Sequence, residues 1–175
     1  MPDALIRRAT PADAEVLARL GETTFVETFV EGFRMDYPPD DLAEFVAQNY
    51  TAEAFSRILT DPEVAAWIAE DSSGGLAYAT AGPNHLPHPD ARRDHGELYR
   101  LYVARAAQGR RLGARMLQRA LDWLEQTRPG PIWIGVWSGN EKAQRLYAHF
   151  GFEKAGEYDF PVGRTRDHEF ILRRG

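Results

Sequence analysis

Residues 97–137 run through strand, glycine-bearing turn, amphipathic helix and second strand, and few folds accommodate such a run. Leu98, Leu101 and Val103 give the first segment an apolar base. Five positions after Val103, the stretch Gln108-Gly109-Arg110-Arg111-Leu112-Gly113-Ala114 opens a helix. Its Leu112, Met116, Leu117, Ala120, Leu121 and Leu124 share one face at helical spacing. Arg128-Pro129-Gly130-Pro131 stops that helix, and residues 132–137 read as a buried strand. A strand, helix and strand within some forty residues join parallel strands through a right-handed crossover.

The remaining elements fit around this unit. Residues 5–9 read as a short strand, and Thr10-Pro11-Ala12-Asp13 starts a helix, with Thr as N-cap, Pro in the first turn and Asp at N3. That helix is expected over residues 11–28, with Val16, Leu17, Leu20 and Phe25 on its apolar side. Residues 40–48 and 52–59 also look helical. Asp71-Ser72-Ser73-Gly74-Gly75 joins two apolar segments, 64–69 and 76–81, as a hairpin. Residues 83–95 hold three prolines and three histidines without periodicity and read as a loop. A helix from residue 140 to 150 and two closing strands, 154–161 and 166–173, complete a mixed α/β class. No repeat or linker divides the chain, so residues 1–175 are expected to form one domain.

Composition narrows the chemistry. The 175 residues include no cysteine, which removes disulfides, thiolate metal sites and a cysteine nucleophile. No apolar run approaches the ~20 residues of a membrane span, and Met1 to Arg8 lacks the order of a secretory signal, so a cytoplasmic, non-membrane protein is expected. A net charge of -5 argues against nucleic acid as the partner and is compatible with a cationic small molecule, although mild acidity also serves solubility alone. His85 and His88 lack an evident third ligand, and no metal is expected.

Two segments can carry chemistry, and each has an ordinary structural alternative. Around Leu101-Tyr102-Val103 and Gln108 to Ala114, strand, turn and helix start make an anion site, because the free N–H groups of a first helical turn converge where the dipole is positive. Arg110, Arg111 and Arg115 add charge. The same pattern also serves plain helix initiation. The second segment runs Asn140-Glu141-Lys142-Ala143-Gln144-Arg145-Leu146-Tyr147-Ala148-His149-Phe150-Gly151-Phe152. Here Tyr147 shares a face with Ala143, Leu146 and Phe150 and reads equally as core, while Asn140 reads as an N-cap and Gly151 as the residue just past the helix.

Taken in order and separated by one strand, the two segments resemble the GCN5-related N-acetyltransferase (GNAT) superfamily. The first resembles its acetyl-CoA motif and the second its following helix motif. Thr24-Phe25-Val26-Glu27-Thr28-Phe29 and Gly135-Val136-Trp137 resemble the polyamine acetyltransferase group more than the ribosomal-protein group. The resemblance implies a mixed central sheet of about seven strands, with a splayed parallel pair around 97–103 and 131–137, flanked by about four helices. It also allows a homodimer. One position departs from the motif: Gln108 and Gly113 match, but Arg111 stands where a glycine is usual. A left-handed arginine would cost about 1–2 kcal/mol, so Arg111 is expected to be already helical with its side chain outward.

The resemblance further implies transfer of the acetyl group of acetyl-CoA, as co-substrate, to a primary amine by direct attack through a tetrahedral intermediate. The cofactor would lie against Leu101, Tyr102, Val103, residues 108–114, Asn140 and Lys142, with an N–H near Val103 stabilising the oxyanion, a contribution of about 3 kcal/mol per donor. Tyr147 would protonate the leaving thiolate. A phenol near pKa ~10 facing a thiol near ~8.5 makes that uphill by about 2 kcal/mol. Because an alkylamine near pKa ~10.4 is protonated at neutral pH, a base is needed, and Glu97 at the start of its strand is the candidate, with His85, His88, Tyr99 and Asp159 as rivals. Glu27, Glu31, Asp36, Asp40 and Asp41 form an acidic stretch suited to a polyamine or to plain solvation. With Trp137, Glu27 and Glu31 are the candidate substrate residues. Acceptors other than a small amine, namely a protein α-amine or lysine, and a non-catalytic CoA-sensing role remain open. A cleft closed by residues 83–95 would favour small molecules.

Overall fold

The computed structural model describes residues 4–175; residues 1–3, part of the amino-terminal stretch considered above, lie outside the described residues. Seven strands form one sheet: β1 (Leu5–Arg8), β2 (Ala65–Asp71), β3 (Gly74–Pro83), β4 (Gly96–Val103), β5 (Ile132–Trp137), β6 (Glu153–Val162) and β7 (Thr165–Arg174). Their order is β1-β2-β3-β4-β5-β7-β6, and every neighbouring pair is antiparallel except β4 and β5. This is the mixed sheet with one parallel pair expected from the sequence.

The parallel pair is short. Gly96, Glu97 and Leu98 face Ile132, Trp133 and Ile134, and from there β4 and β5 continue without pairing to Val103 and Trp137. The divergence has a local cause on β4. Opposite β3, Thr80 faces Arg100 while Ala81 faces Leu98, so Tyr99 is an inserted residue. A bulge of this kind bends its strand and raises the local twist. Beyond Tyr99 the two strands separate.

Two helix layers cover the sheet. On one face α4 (Leu112–Thr127) and α5 (Glu141–His149) bury Met116, Leu117, Leu121 and Leu124 against Ile134 and Val136. On the other, α1 (Ala14–Phe25), α2 (Pro39–Asn49) and α3 (Ala52–Thr60) enclose Leu17, Phe25, Phe55, Ile68 and Tyr78. Burial of each such side chain contributes roughly 1.5–3 kcal/mol. The start of α1 is tied to the sheet edge by Arg7, whose guanidinium donates to Asp13 Oδ1 at 2.7 Å and to Glu70 Oε1 at 2.7 Å. Asp13 also accepts the Thr10 N–H at 2.7 Å, completing the expected capping arrangement, and these bonds hold its carboxyl well below the usual range.

The first helix does not end near residue 28 as its apolar spacing suggested. It changes at Val26 into a π-helical segment, Val26–Gly32, in which the Phe33 N–H reaches Thr28 C=O at 2.9 Å. Bonding across five residues widens the turn, a feature that concentrates at functional sites. No helix among the described residues is long and apolar enough to cross a membrane.

Candidate active site

The gap between the diverging ends of β4 and β5 opens into a cleft of about 650 Å³. Its walls come from β4 and β5, from the turn leading into α4, from α5, and from the π-helical segment. Residues 84–95 do not line it. Closure by that loop, the condition favouring small molecules, is not met; Glu27, Thr28, Phe29, Gly32 and Phe33 of the π-helical turn and its end line the cleft instead.

At one end lies the turn before α4. Gln108 is extended, Gly109 has φ 83°, and Arg111 caps the helix at φ 58°, ψ 17°. Arg111 is thus left-handed, not helical, and it faces the cleft, which corrects the expectation drawn from its side chain. The turn needs two residues with positive φ to present its N–H groups, and only the first is glycine. The second costs about 1–2 kcal/mol, a strain of the kind retained where it shapes a site. A Cβ at Gly109 would meet nothing within 4 Å, so glycine is required there for its backbone angle and not for space.

The other residues expected at this end divide. Leu101, Tyr102, Val103, Gln108, Leu112, Gly113 and Ala114 line the cleft with Asn140 and Lys142. Gln108 is held at the turn by two contacts: its amide donates to Val103 C=O at 3.4 Å and accepts from Lys142 Nζ at 2.9 Å. Asn140 caps α5 by accepting the Ala143 N–H at 3.1 Å. Arg110 departs from the group; its guanidinium reaches Asp71 Oδ2 at 3.2 Å on the β2–β3 hairpin, outside the cleft.

Tyr147, on α5, lines the cleft. It is 6% exposed, packs edge-on against Phe152 at 6.2 Å, and its hydroxyl makes no hydrogen bond to the described residues. Burial and the charge of Glu169 push its phenol well above the usual range. Its ring is part of the core, and the residue also lines the cleft.

Across the sheet the cleft has a second wall. Trp137 packs on Phe33 with centroids 4.6 Å apart, and both line the cleft. Glu27 lines it too, but its carboxylate accepts the Arg105 N–H at 2.8 Å, and Glu31 binds the Arg105 guanidinium at 2.8 Å away from the cleft. Asp41 accepts from Arg164 N–H at 2.8 Å and fastens α2 to the β6–β7 hairpin. The acidic stretch is thus largely occupied within the fold.

Glu97 is buried at 8% exposure, accepts the His85 N–H at 2.6 Å, and is pushed up to about 7 by burial. It sits behind the cleft rather than on its wall. Of the rivals, Tyr99 lines the cleft but donates to Pro83 C=O at 2.6 Å, His85 lies 3.8 Å from Glu97, His88 bonds Ala155 C=O at 3.2 Å, and Asp159 faces His168 at 3.4 Å. A second carboxylate on the wall, besides Glu27, is Glu169 on β7, accepting from the Tyr158 hydroxyl at 2.7 Å. Sequence reading passed over it. The one signal was a strand face carrying Asp167, Glu169 and Ile171 together, two acids beside a core residue.

The sequence matches the acetyltransferase (GNAT) family over residues 24–152. An uncharacterized N-acetyltransferase of Lactobacillus delbrueckii subsp. lactis is 24% identical over 148 residues, covering 85% of this chain and 86% of its own length. One from Mycobacterium bovis is 29% identical over 136 residues, covering 78% and 83%. Among solved structures, the PaiA N-acetyltransferase of Thermoplasma acidophilum in complex with coenzyme A superposes with a TM-score of 0.77 over 99% of both chains at 15% identity, a likeness of fold. The matched region takes in the α4 turn, the splayed strands and Tyr147, and the chain belongs to the acetyltransferase (GNAT) family.

Proposed function

We propose that the protein transfers the acetyl group of acetyl-CoA to a small primary amine. The observation that carries this reading is the splay itself: a cleft between the diverging ends of two parallel strands, lined by the left-handed turn before α4 and by a buried phenol. The fit to the co-substrate is chemical. The left-handed turn at Gly109 and Arg111 and the unpaired N–H groups of Leu112, Gly113 and Ala114 suit a pyrophosphate, and the unpaired edges of β4 and β5 suit an amide-bearing arm. A relative of the same fold binds coenzyme A.

Acetyl-CoA supplies an activated acyl group whose leaving atom is sulfur. The chain supplies the rest. N–H groups of β4 beyond the Tyr99 bulge, free of a strand partner on the β5 side, can donate to the developing oxyanion. Tyr147 can protonate the departing sulfur. Its raised phenol pKa does not defeat this, because a thiolate in the same dry cleft is destabilised by the same loss of water. Glu97, able to exchange a proton near neutral pH and lying behind the cleft wall, can relay outward the proton that an ammonium acceptor gives up inside the cleft.

A polyamine is one member of the acceptor class. Glu27 is the member of the acidic stretch that lines the cleft, where it could hold a second ammonium, and it already accepts the Arg105 N–H. The test is incubation of the purified protein with acetyl-CoA and a panel of primary amines including spermidine, an amino acid and a peptide α-amine, with free thiol followed. Thiol release with a small amine supports the reading; release only with the peptide, or none, overturns it.

A further inference from the structure

We propose that Glu169 is the carboxylate that meets the acceptor's ammonium group and takes its proton, with Gly135 as the position that keeps room for it. This rests on the acetyltransferase reading and names the acceptor contact of the same cleft.

The argument starts from faces. Glu169 lies directly opposite Trp137 on β5 and Tyr158 on β6, and directly opposed residues project to the same side. That side is the one where Trp137 packs on Phe33, whereas Tyr147 belongs to the α4–α5 core on the other. Glu169 and Tyr147 both reach the cleft, so an acyl group held in the splay has a carboxylate on one side and a phenol on the other. Attack and departure at a carbonyl carbon need this disposition, with the amine arriving on one face and sulfur leaving toward an acid.

Position 135 keeps the acceptor side open. A Cβ there would lie 2.8 Å from the Tyr158 hydroxyl and 3.1 Å from Glu169 Oε2, so that both side chains would have to shift. The Tyr158–Glu169 pair therefore occupies the space that a side chain on β5 would fill, and the 2.7 Å bond from Tyr158 orients the carboxylate. Tyr158 is a positioning residue. The neighbouring Phe33 and Trp137 rings complete the recognition, since aromatic faces and a carboxylate together select a cation. Burial raises the Glu169 carboxyl, and its charge in turn helps raise Glu97, so the pair can hold a proton that neither would hold in water.

The step balances. The amine nitrogen, having shed one proton of its ammonium form to Glu169, bonds to the acetyl carbon, the carbon–sulfur bond breaks with its electron pair on sulfur, Tyr147 protonates the sulfur, and the second proton that the nitrogen loses on becoming an amide passes to solvent. Solvent later restores both groups.

The test compares wild type, Glu169→Gln, Tyr158→Phe and Gly135→Ala for kcat and KM of the best amine across pH 5–9, with CoA affinity measured for each. The groups facing Glu169 are Tyr158 on β6, Asp167 on β7, Glu97 on β4, Tyr147 on α5, and Tyr37 and Tyr102 from the acceptor side, so the profile reports the cluster. Glu169→Gln is expected to lower kcat/KM about 100-fold or more and to abolish its rise with pH between 5 and 8, with CoA affinity within 3-fold of wild type. Gly135→Ala should raise the amine KM with little change in CoA affinity, and Tyr158→Phe should shift the profile while keeping part of the activity. Glu169→Gln with wild-type kcat/KM and pH profile overturns the assignment of Glu169 alone. Wild type without thiol release on any amine overturns the acetyltransferase reading, and this assignment with it. Loss of CoA binding in Glu169→Gln would mean a structural role and likewise overturns the assignment.

Discussion

Tyr147 and Glu169 reach one cleft from opposite faces of the same sheet. Tyr147 comes from α5 among the apolar side chains under α4, Glu169 from β7 beside Trp137, and the charge of Glu169 is felt by the phenol. Both can line the cleft because β4 and β5 pair over three residues and then part. An intact parallel pair would have sealed the sheet between them.

If Tyr147 is the acid for the leaving sulfur, its hydroxyl matters to turnover and its ring to packing. Tyr147→Phe keeps the ring against Phe152 and removes an oxygen without a partner among the described residues. Steady-state thiol release should fall about 100-fold in kcat, while calorimetric CoA affinity changes by less than 3-fold. Unchanged kcat would remove the role.

Glu97 has a cost that depends on pH. Its carboxyl is raised from 4.5 to about 7, so the folded state holds a proton that the unfolded chain releases. The stability this proton confers is full below about pH 4.5 and is lost as pH rises through 7. By linkage, the loss amounts to roughly 3 kcal/mol at pH 8. Glu97→Gln keeps an acceptor for the His85 N–H and cannot ionise, so it should stabilise the protein by up to about that amount at pH 8 and leave it nearly unchanged at pH 4. Urea unfolding at the two pH values checks this; equal effects at both would contradict the buried, protonated state.

Arg111 separates backbone strain from charge. Arg111→Gly relieves a left-handed side chain at about 1–2 kcal/mol but loosens the unfolded chain by about 0.5–1 kcal/mol, so thermal stability should hold or rise slightly. Arg111→Val should be destabilised by about 1–2 kcal/mol, because a branched side chain tolerates positive φ poorly. If the guanidinium meets phosphate, both should weaken CoA binding several-fold at low salt, with the difference shrinking in high salt. A stabilised valine variant would be incompatible with the turn as described.

The acidic stretch offers a contrast. Glu31 pairs with Arg105 on the surface and does not line the cleft. Glu31→Ala should leave the KM for any amine within 2-fold and stability within about 0.5 kcal/mol, as exposed ion pairs contribute little. A large rise in KM for polyamines alone would restore the acidic stretch as their binding surface.

What was legible in the sequence was whatever repeats with a local period. The α4 face, the hairpin at residues 71–75, the caps at Thr10 and Asn140, and the strand order around the crossover all follow from spacing, because helices and strands declare their buried faces every 3.6 or 2 residues. The turn before α4 was legible too, through Gln108, Gly109 and Gly113. The backbone of Arg111 was not, since local preference argued for a helical arginine and the turn's need for a second positive φ won.

The sequence by itself determined the α/β class, the strand–turn–helix unit and the position of Tyr147. Tertiary structure decided what meets in the cleft. Glu169 lies 22 residues after Tyr147 with no motif joining them, and Glu97, equally acidic, ends up behind the wall. Which carboxylate faces the splay depends on the bulge at Tyr99, the register of β5 with β7, and the missing side chain at Gly135. These are relations between strands far apart in the chain, and no local period records them, because pairing and register are settled by the packing of the whole sheet.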